Sequence, residues 1–262
     1  QNSVNNTGEV VPSIHPLSRN DSYPKSAIGQ AGLHQADTSC PISQHTWSSA
    51  YWSAQSAINL AQLMLDGARH GYALCRPPGH HAFGEVAGGF CFLNNSAVAA
   101  QYLSKRGARI AILDIDVHHG NGTQGIFYNR DDILTISLHT DPARFYPFYW
   151  GQANELGLGR GYGFNLNLPL DRKAGNKDYL SALRVALDYI HSFGADIIVV
   201  ALGLDAAISD PFEGLAITTE GFGKIATNIA KLGKPLAIVQ EGGYLGPELA
   251  LNLTSFLKVV ES

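Results

Sequence analysis

Short apolar segments alternate with longer amphipathic ones from Trp47 to the end of the chain. The apolar segments are rich in leucine and β-branched residues and are apolar on both faces, as expected of parallel strands covered by helices. They predict strands over residues 72–75, 109–113, 133–138, 164–168, 197–202 and 236–240. The amphipathic segments predict helices over residues 52–69, 94–106, 178–193, 219–232 and 247–260. Strands that alternate with helices indicate an α/β fold with a mostly parallel sheet.

The first part of the chain differs from the rest. Residues 1–46 are rich in Ser, Asn, Gly and Pro and show almost no hydrophobic periodicity, so we interpret them as an irregular lead-in. The remaining residues, 47–262, are then expected to form one globular domain.

Composition and charge exclude several function classes. A formal net charge of −4 and a pI near 6.2 predict no basic surface for nucleic acid or an anionic membrane. No apolar run approaches the roughly 20 residues of a membrane span, and the first residues, QNSVNNTGEV, do not resemble a signal peptide. The three cysteines are odd in number and form no CxxC pair, which indicates a reducing compartment and a cytoplasmic protein.

Polar and glycine-rich segments directly follow four of the predicted strands. They are RPPGHHAFGEVAGGF after 72–75, DIDVHHGNG after 109–113, GLDAAISDP after 197–202 and EGGYLGP after 236–240. In parallel α/β sheets, ligands bind at the carboxyl ends of the strands. The sequence therefore predicts one active site at that end of the sheet.

The segment after 109–113 is rich in potential metal ligands. If the strand stays extended through Asp116 and His118, these two side chains point to the same side and can share one ion. Asp114 lies on that side one step deeper, whereas His119 points away. Asp205, after another strand, is the best-placed third ligand. Carboxylate and imidazole ligands that leave positions open favour a catalytic Zn²⁺, with Fe²⁺, Co²⁺ or Mn²⁺ as alternatives.

A histidine pair and a tyrosine provide groups for proton transfer. His80 and His81 follow a Pro-Pro-Gly turn, and tandem histidines at a strand end suit an acid/base pair. Asp114 and Asn121 are the proposed partners that orient them. Tyr244 lies on a glycine-rich loop, where its phenol can donate a hydrogen bond to a developing oxyanion. For the tyrosine alone, a partly buried aromatic residue is the alternative interpretation.

Several longer motifs resemble a known family. LCRPPGHHA, GGFCFLNNSAVAA, DIDVHHGNGTQ, SLH, LGLDAAISDP and EGGY follow the order of the metal-dependent deacetylase superfamily, the histone deacetylases and acetylpolyamine amidohydrolases. HHGNG resembles the class II-like branch, and the flanking residues are most similar to bacterial acetylpolyamine amidohydrolases. The resemblance covers Trp47 to the C-terminus. It implies the arginase–deacetylase fold, a single-domain three-layer α/β/α arrangement.

The resemblance also implies roles for individual residues. The implied zinc ligands are Asp116, His118 and Asp205, the acid/base pair is His80 and His81, and Tyr244 polarises the carbonyl. Gly89 would accept the substrate amide N–H through its carbonyl, and Phe90 and Tyr146 would wall a narrow tunnel. The implied K⁺ sites are an inner one at Asp114, His118, Ser137 and Leu138 and an outer one that includes Phe127, Arg130 and Ile133.

The implied reaction is the hydrolysis of an acyl amide to acetate and a free amine. His81 is the expected base for the metal-bound water and later protonates the leaving amine, while His80 tunes the pair. The implied substrate is a small acetylated amine, an acetylated polyamine above all. A protein acetyl-lysine deacetylase is the alternative, and a catalytically idle acyl-lysine-binding module is a further one.

Two features depart from the family pattern. Family catalytic domains begin several tens of residues earlier, with strands beside residues 72–75, so that predicted strand is expected to lie at a bare edge. The loop 23–47 offers only Asp37 to meet a distal ammonium, and it carries Lys25. The same loop resembles the one through which acetylpolyamine enzymes dimerise, which implies a substrate-entrance loop and a homodimer.

Three competing interpretations are weaker. The first is a binuclear manganese ureohydrolase, whose second metal requires an Asp after the first His of DVHHG and a second Asp in a DxDxxDP motif. This chain has His119 and Ala207 at those two positions, so one metal is expected. The segment GLGRGYG (157–163) precedes a strand and does not match the nucleotide-binding pattern GxGxxG. Asp114 and Asp116 could instead only cap the next segment, but four ligand-type residues after an apolar strand favour a metal site.

Overall fold

Six strands form a parallel sheet in the computed structural model, which describes residues 22–260. They are β1 (His70–Ala73), β2 (Ile110–Asp114), β3 (Ile133–Thr140), β4 (Asn165–Leu170), β5 (Ile197–Leu202) and β6 (Leu236–Gln240). Their order across the sheet is β1-β6-β5-β2-β3-β4. All six predicted strands are confirmed, with boundaries that differ by at most two residues. Within the described residues β1 is an edge strand, as expected.

Helices fill the connections between the strands. They are α1 (Ala27–Leu33), α2 (Thr46–Leu65), α3 (Asn95–Ser104), α4 (Asn121–Phe127), α5 (Asn176–Phe193), α6 (Thr219–Ala230) and α7 (Leu249–Val260). The hydrophobic pattern predicts all of them except α1 and α4, which are only seven residues long. Within residues 22–260, no helix combines the length and the apolar character needed to cross a membrane.

The expected irregular lead-in includes one helix. Helix α1 begins after Ser26, whose side chain accepts a hydrogen bond from Gly29 N at 3.2 Å. An N-cap, and not an amphipathic pattern, therefore defines this short helix. Residues 1–21 of the same segment lie outside the described residues.

Buried apolar clusters lie on both faces of the sheet. Along β2, Ala111 and Leu113 belong to the cluster that includes residues of α5, α6 and α7, whereas Ile110 and Ile112 belong to the cluster of α2 and α3. Every residue of β2, β3 and β5 is buried. Burial on both faces explains why these strands are apolar throughout. The predicted three-layer α/β/α arrangement is confirmed.

The strand order places a topological switch between β2 and β5. The chain proceeds from β2 through β3 to β4 and then returns to β5 on the other side of β2. Asp114 at the end of β2 pairs with Ala201 near the end of β5, and Leu202 pairs with Gln240 at the end of β6. The segments that follow these strands therefore meet at one edge of the sheet, where open α/β sheets bind their ligands.

Candidate active site

The three predicted metal ligands meet at this edge. Asp116 and His118 follow β2, Asp205 follows β5, and their ligand atoms all lie within 4.8 Å of one another. All three residues are buried, with at most 7% of their surface exposed. The folded chain thus brings together the set that the sequence singles out.

The ligand geometry considered above requires strand β2 to continue as far as His118, but the strand is shorter. It ends at Asp114, and residues 116–118 form a bend. Asp116 N donates to Asp114 Oδ1 at 3.1 Å, and His118 N donates to Asp116 Oδ1 at 2.8 Å. Aspartate side chains often turn the backbone in this way, because they accept from the N–H two residues further on. The condition that the strand stays extended through His118 is therefore not met, although the side chains still converge.

His118 Nδ1 lies between two carboxylates. It is 3.1 Å from Asp116 Oδ1 and 3.2 Å from Asp205 Oδ2. The second approach lacks hydrogen-bond geometry, so Asp205 Oδ2 has no hydrogen-bond partner within the described part of the chain. Burial alone would lower the pKa of His118, but the adjacent carboxylates of Asp116 and Asp205 raise it to about 9. Burial and the charge of Asp116 raise the pKa of Asp205 to about 6. The cluster therefore carries an excess of negative charge.

His80 and His81 lie beside this cluster, with ring centroids 4.0 Å apart. His80 Nδ1 donates to Asp114 Oδ2 at 2.9 Å, and His81 Nδ1 donates to Asn121 Oδ1 at 2.7 Å. Each histidine therefore contacts the partner that the sequence suggests for it. One partner is a carboxylate and the other a neutral amide, so the two rings differ in their electrostatic surroundings.

This difference separates the pKa values of the two histidines. Burial disfavours the charged form of both rings. For His80, the carboxylate of Asp114 and its neighbours outweigh burial and hold the pKa well above the usual value. For His81, burial acts together with the positive charges of His80 and His118 and holds the pKa well below the usual value. The site thus pairs a cationic imidazole with a neutral one.

A cavity of about 320 Å³ opens onto the ligand cluster. The predicted tunnel residues line it: Gly89, Phe90 and Tyr146. Gly89 has a φ of +52°, and a Cβ there would lie 2.3 Å from His81 Cδ2, so only glycine fits against the imidazole. The Tyr146 ring contacts the His81 ring edge-on at 4.9 Å between centroids. His81 is therefore enclosed between these two residues.

Tyr244 lines the same cavity from the loop after β6. Gly242 N in this loop donates to Asp116 Oδ2 at 2.8 Å, and a Cβ at Gly242 would lie 2.2 Å from Asp205 Oδ2. The Tyr244 ring packs against Phe212 with centroids 4.9 Å apart. Burial, followed by the charge of Asp205, raises the pKa of the phenol. The phenol is thus protonated and able to donate a hydrogen bond.

Comparisons with known proteins agree with this geometry. Residues 9–260 match the model of the histone deacetylase domain. The chain is 48% identical over 232 residues to the acetylpolyamine amidohydrolase of Burkholderia pseudomallei, covering 88% of this chain and 68% of that one. It is 44% identical over 255 residues to the acetylpolyamine amidohydrolase of Mycoplana ramosa, covering 97% and 75%. The chain belongs to the histone deacetylase family.

A solved structure extends this likeness to the fold. The crystal structure of acetylpolyamine aminohydrolase from Burkholderia pseudomallei matches this chain with a TM-score of 0.92 and 45% sequence identity. The match covers 97% of this chain and 74% of that one. The parallel sheet and its helices are therefore those of the histone deacetylase family.

The histone deacetylase family implies a catalytic metal, and the buried set of Asp116, His118 and Asp205 suits one. Among the described residues a second set, His80, Cys91 and Glu241, also has ligand atoms within 4.8 Å. Its members already have partners, since Glu241 accepts from two backbone N–H groups and Cys91 Sγ donates to Gly89 O at 3.4 Å. This second set is therefore better explained as structural.

Glu241 is a member of this site that the sequence motifs do not predict. One carboxylate oxygen accepts from Gly79 N at 2.6 Å and His80 N at 3.1 Å, and the other accepts from Ser96 Oγ at 2.7 Å. Burial raises the pKa of Glu241 to about 7, against the opposing charge of His80. Glu241 thus ties the histidine turn to the loop that carries Tyr244. Its position directly after β6, at the same edge of the sheet as the other site residues, is the sequence signal that could have identified it.

Three of the four residues predicted for an inner K⁺ site lie on neighbouring strands, and the fourth, His118, lies in the bend after β2. Asp114 pairs with Ser137 across β2 and β3, and Leu138 is the next residue of β3. His119 is turned away from the ligand cluster, as expected, and donates to Gln124 Oε1 at 3.0 Å. For the outer site, Phe127 ends α4, Ile133 begins β3 and Arg130 lies between them. The Arg130 guanidinium is a cation without an acceptor and bonds Asp132 at 2.6 and 2.8 Å, so its backbone carbonyl is the group that could contact K⁺.

A larger groove of about 950 Å³ lies between α1, α2 and α3. Residues such as Trp47, Phe83 and Val98 line it, and none of the predicted site residues does. The smaller cavity is the candidate active site because it alone of the two contains the metal-ligand set.

Proposed function

We propose that this chain hydrolyses the amide bond of an acetylated polyamine and releases acetate and the free amine. Membership of the histone deacetylase family makes it a deacetylase, a hydrolase of amide bonds. The relatives named acetylpolyamine amidohydrolase support a small acetylated amine as substrate. The observation that carries the proposal is the meeting of a buried three-ligand set with a neutral imidazole, His81, in one cavity.

Zn²⁺ is the proposed metal, with Asp116, His118 and Asp205 as its ligands. Two carboxylates and one imidazole suit zinc, and Fe²⁺, Co²⁺ and Mn²⁺ accept the same ligand types. The unpartnered Oδ2 of Asp205 and the raised pKa of His118 both support a cation at this point. When bound, such a metal polarises a substrate carbonyl and lowers the pKa of a bound water.

His81 is the proposed base and acid of the reaction. Since its Nδ1 donates to Asn121, its Nε2 holds the free lone pair. The lowered pKa keeps the ring neutral at pH 7, so Nε2 can take a proton from water as the water oxygen attacks the carbonyl. The same proton then passes to the amine nitrogen as the C–N bond breaks. His80, held cationic by Asp114, adjusts the electrostatic potential at His81.

Tyr244 and Gly89 are the proposed contacts to the substrate amide. The Tyr244 phenol donates to the carbonyl oxygen as negative charge develops there. The Gly89 carbonyl accepts the amide N–H, since the one donor that reaches it among residues 22–260 is the weak Cys91 thiol at 3.4 Å. Phe90 and Tyr146 form the walls on either side of the acyl-bearing chain.

Further assignments concern ions, assembly and location. We propose an inner K⁺ site at Asp114, His118, Ser137 and Leu138 and an outer one at Phe127, Arg130 and Ile133. Residues 23–47 are proposed as the substrate-entrance and homodimer loop ahead of the catalytic domain, and the exposed rings of Tyr23 and Trp47 support an interface there. The three free, buried cysteines support a reducing, cytoplasmic location.

The test is kcat/KM of the zinc-loaded protein on N-acetylputrescine, acetylspermidine and an acetyl-lysine peptide. Clear preference for the two small amines is the expected result. Preference for the peptide would replace the proposal with a protein-lysine deacetylase. Zinc binding without turnover of any substrate would leave an acyl-lysine-binding module as the better description.

A further inference from the structure

Asp37, in the connection between α1 and α2, contacts two residues of the cavity wall. Its Oδ2 accepts from Tyr146 OH at 2.6 Å and from Gly89 N at 3.0 Å. Its Oδ1 accepts from Ser39 N at 2.8 Å. Both oxygens of the carboxylate are therefore engaged by donors of the protein itself, and a charged acceptor makes these bonds stronger than neutral ones.

Both wall residues that Asp37 holds are in contact with His81. A Cβ at Gly89 would lie 2.3 Å from His81 Cδ2, which shows how closely this backbone approaches the imidazole. The Tyr146 ring meets the His81 ring at 88°, with centroids 4.9 Å apart. A shift of either wall residue would therefore change the space around the proposed base.

The segment that carries Asp37 is itself fixed to the cavity wall. Ala36 N donates to Ala87 O at 2.8 Å, and Ala87 N donates to His34 O at 2.9 Å. Gln35 is buried, and its Nε2 donates to Cys40 O at 2.8 Å. Two backbone hydrogen bonds before Asp37 and the Gln35 side-chain bond to Cys40 after it thus fix the segment that carries the carboxylate.

We propose that Asp37 is a positioning residue, which sets the width of the cavity at His81 by holding Tyr146 and Gly89. It does not act as the receptor for the distal ammonium of the substrate, because an ammonium would have to compete with three hydrogen bonds inside the protein. The inference rests on the proposed function for its choice of substrates.

The test compares a cationic substrate, N-acetylputrescine, with a neutral one of similar length, N-butylacetamide. Asp37→Ala is expected to lower kcat/KM by about tenfold to a hundredfold on both, since misplacement of about 1 Å can have this effect. Asp37→Asn, whose amide oxygen can still accept, should recover part of the loss on both substrates. Tyr146→Phe combined with Asp37→Ala should be little worse than Asp37→Ala alone, because the two changes remove the same hydrogen bond. Glu85→Ala, which removes an exposed carboxylate, is the control for charge alone.

Hydrogen exchange gives a readout that needs no catalysis. The Gly89 amide should exchange faster in Asp37→Ala than in the unchanged protein or in Tyr146→Phe. Only Asp37→Ala removes the carboxylate oxygen that accepts the hydrogen bond of this amide. A loss of kcat/KM confined to the cationic substrate, or an unchanged exchange rate at Gly89, would overturn the positioning role. If the unchanged protein hydrolyses neither substrate, the proposed function fails, while the exchange experiment still decides the role of Asp37.

Discussion

The inner and outer parts of the cavity are held by different kinds of structure. At the inner end, Asp116 and Asp205 directly follow adjacent central strands, and both are fully buried. At the outer end, Phe90 and Phe148 lie on loops and are 42% and 52% exposed. The inner residues are thus placed by the hydrogen-bonded sheet. The outer ones depend on contacts between loops, which leave more freedom of movement.

This contrast indicates that the inner and outer parts of the cavity have different roles. Chemistry requires fixed distances between metal ligands, base and oxyanion donor, and the strand ends supply them. Selection of the amine depends on the loops, whose sequence can change without disturbing the sheet. Substitutions should therefore have effects that decrease from the inner end to the outer end.

The largest effect is expected from Asp205→Ala at the inner end. Loss of one of three ligands should remove most of the bound zinc and lower kcat/KM by at least about a thousandfold, because the metal supplies both the activated water and the carbonyl polarisation. Metal analysis and kcat/KM on N-acetylputrescine measure this. Asp171→Ala, at an exposed position, is the matched control. Stoichiometric zinc in Asp205→Ala would show that the ligand assignment is wrong.

Tyr244→Phe should come next, with zinc content unchanged. Loss of an oxyanion donor lowers kcat by about 10²–10³ with a smaller effect on KM, since the bond strengthens only in the transition state. Steady-state kinetics on the same substrate test this, and Tyr149→Phe, at a position 87% exposed, is the control. Full turnover in Tyr244→Phe would show that the phenol has no role in the mechanism. It would also weaken the argument that substitutions at the inner part of the cavity have the larger effects.

Gly89→Ala tests the boundary between the two parts. The new Cβ would press on His81, so we expect loss of most activity and destabilisation by about 1–3 kcal/mol from the left-handed backbone. Gly84→Ala is a close control, because Gly84 also has a positive φ, +60°, but nothing lies within 4 Å of its added Cβ. The midpoint temperature of thermal unfolding should fall in both variants, while kcat/KM should fall only in Gly89→Ala. Equal losses of kcat/KM in Gly89→Ala and Gly84→Ala would show that backbone strain, and not the contact with His81, causes the effect.

The same division explains what the sequence could predict. The strands and the inner residues are local features, since each polar motif directly follows an apolar run that buries itself on both faces. The hydrophobic pattern does not predict the bend after β2, because the bend depends on hydrogen bonds that the Asp114 and Asp116 side chains accept from backbone N–H groups. The contact between Asp37 and Tyr146 joins residues 109 positions apart, and no local pattern records such a pair. The position of Glu241 directly after β6 is a local signal, but its bonds to Gly79 N, His80 N and Ser96 Oγ join distant residues in the same way.

Phe148→Ala, at the outer end, should have the smallest effect. Its ring lies 6.0 Å from that of Tyr146 and is half exposed, so its removal should cost about 1 kcal/mol of substrate binding, a rise in KM of less than about tenfold with kcat unchanged. Acetylspermidine should be affected more than N-acetylputrescine, because its longer chain extends further along the loops. KM and kcat for both substrates measure this, and Leu158→Ala, an exposed apolar residue that does not line the cavity, is the control. A fall in kcat as large as that of Tyr244→Phe would mean that the loops, as well as the strand ends, place the reacting groups.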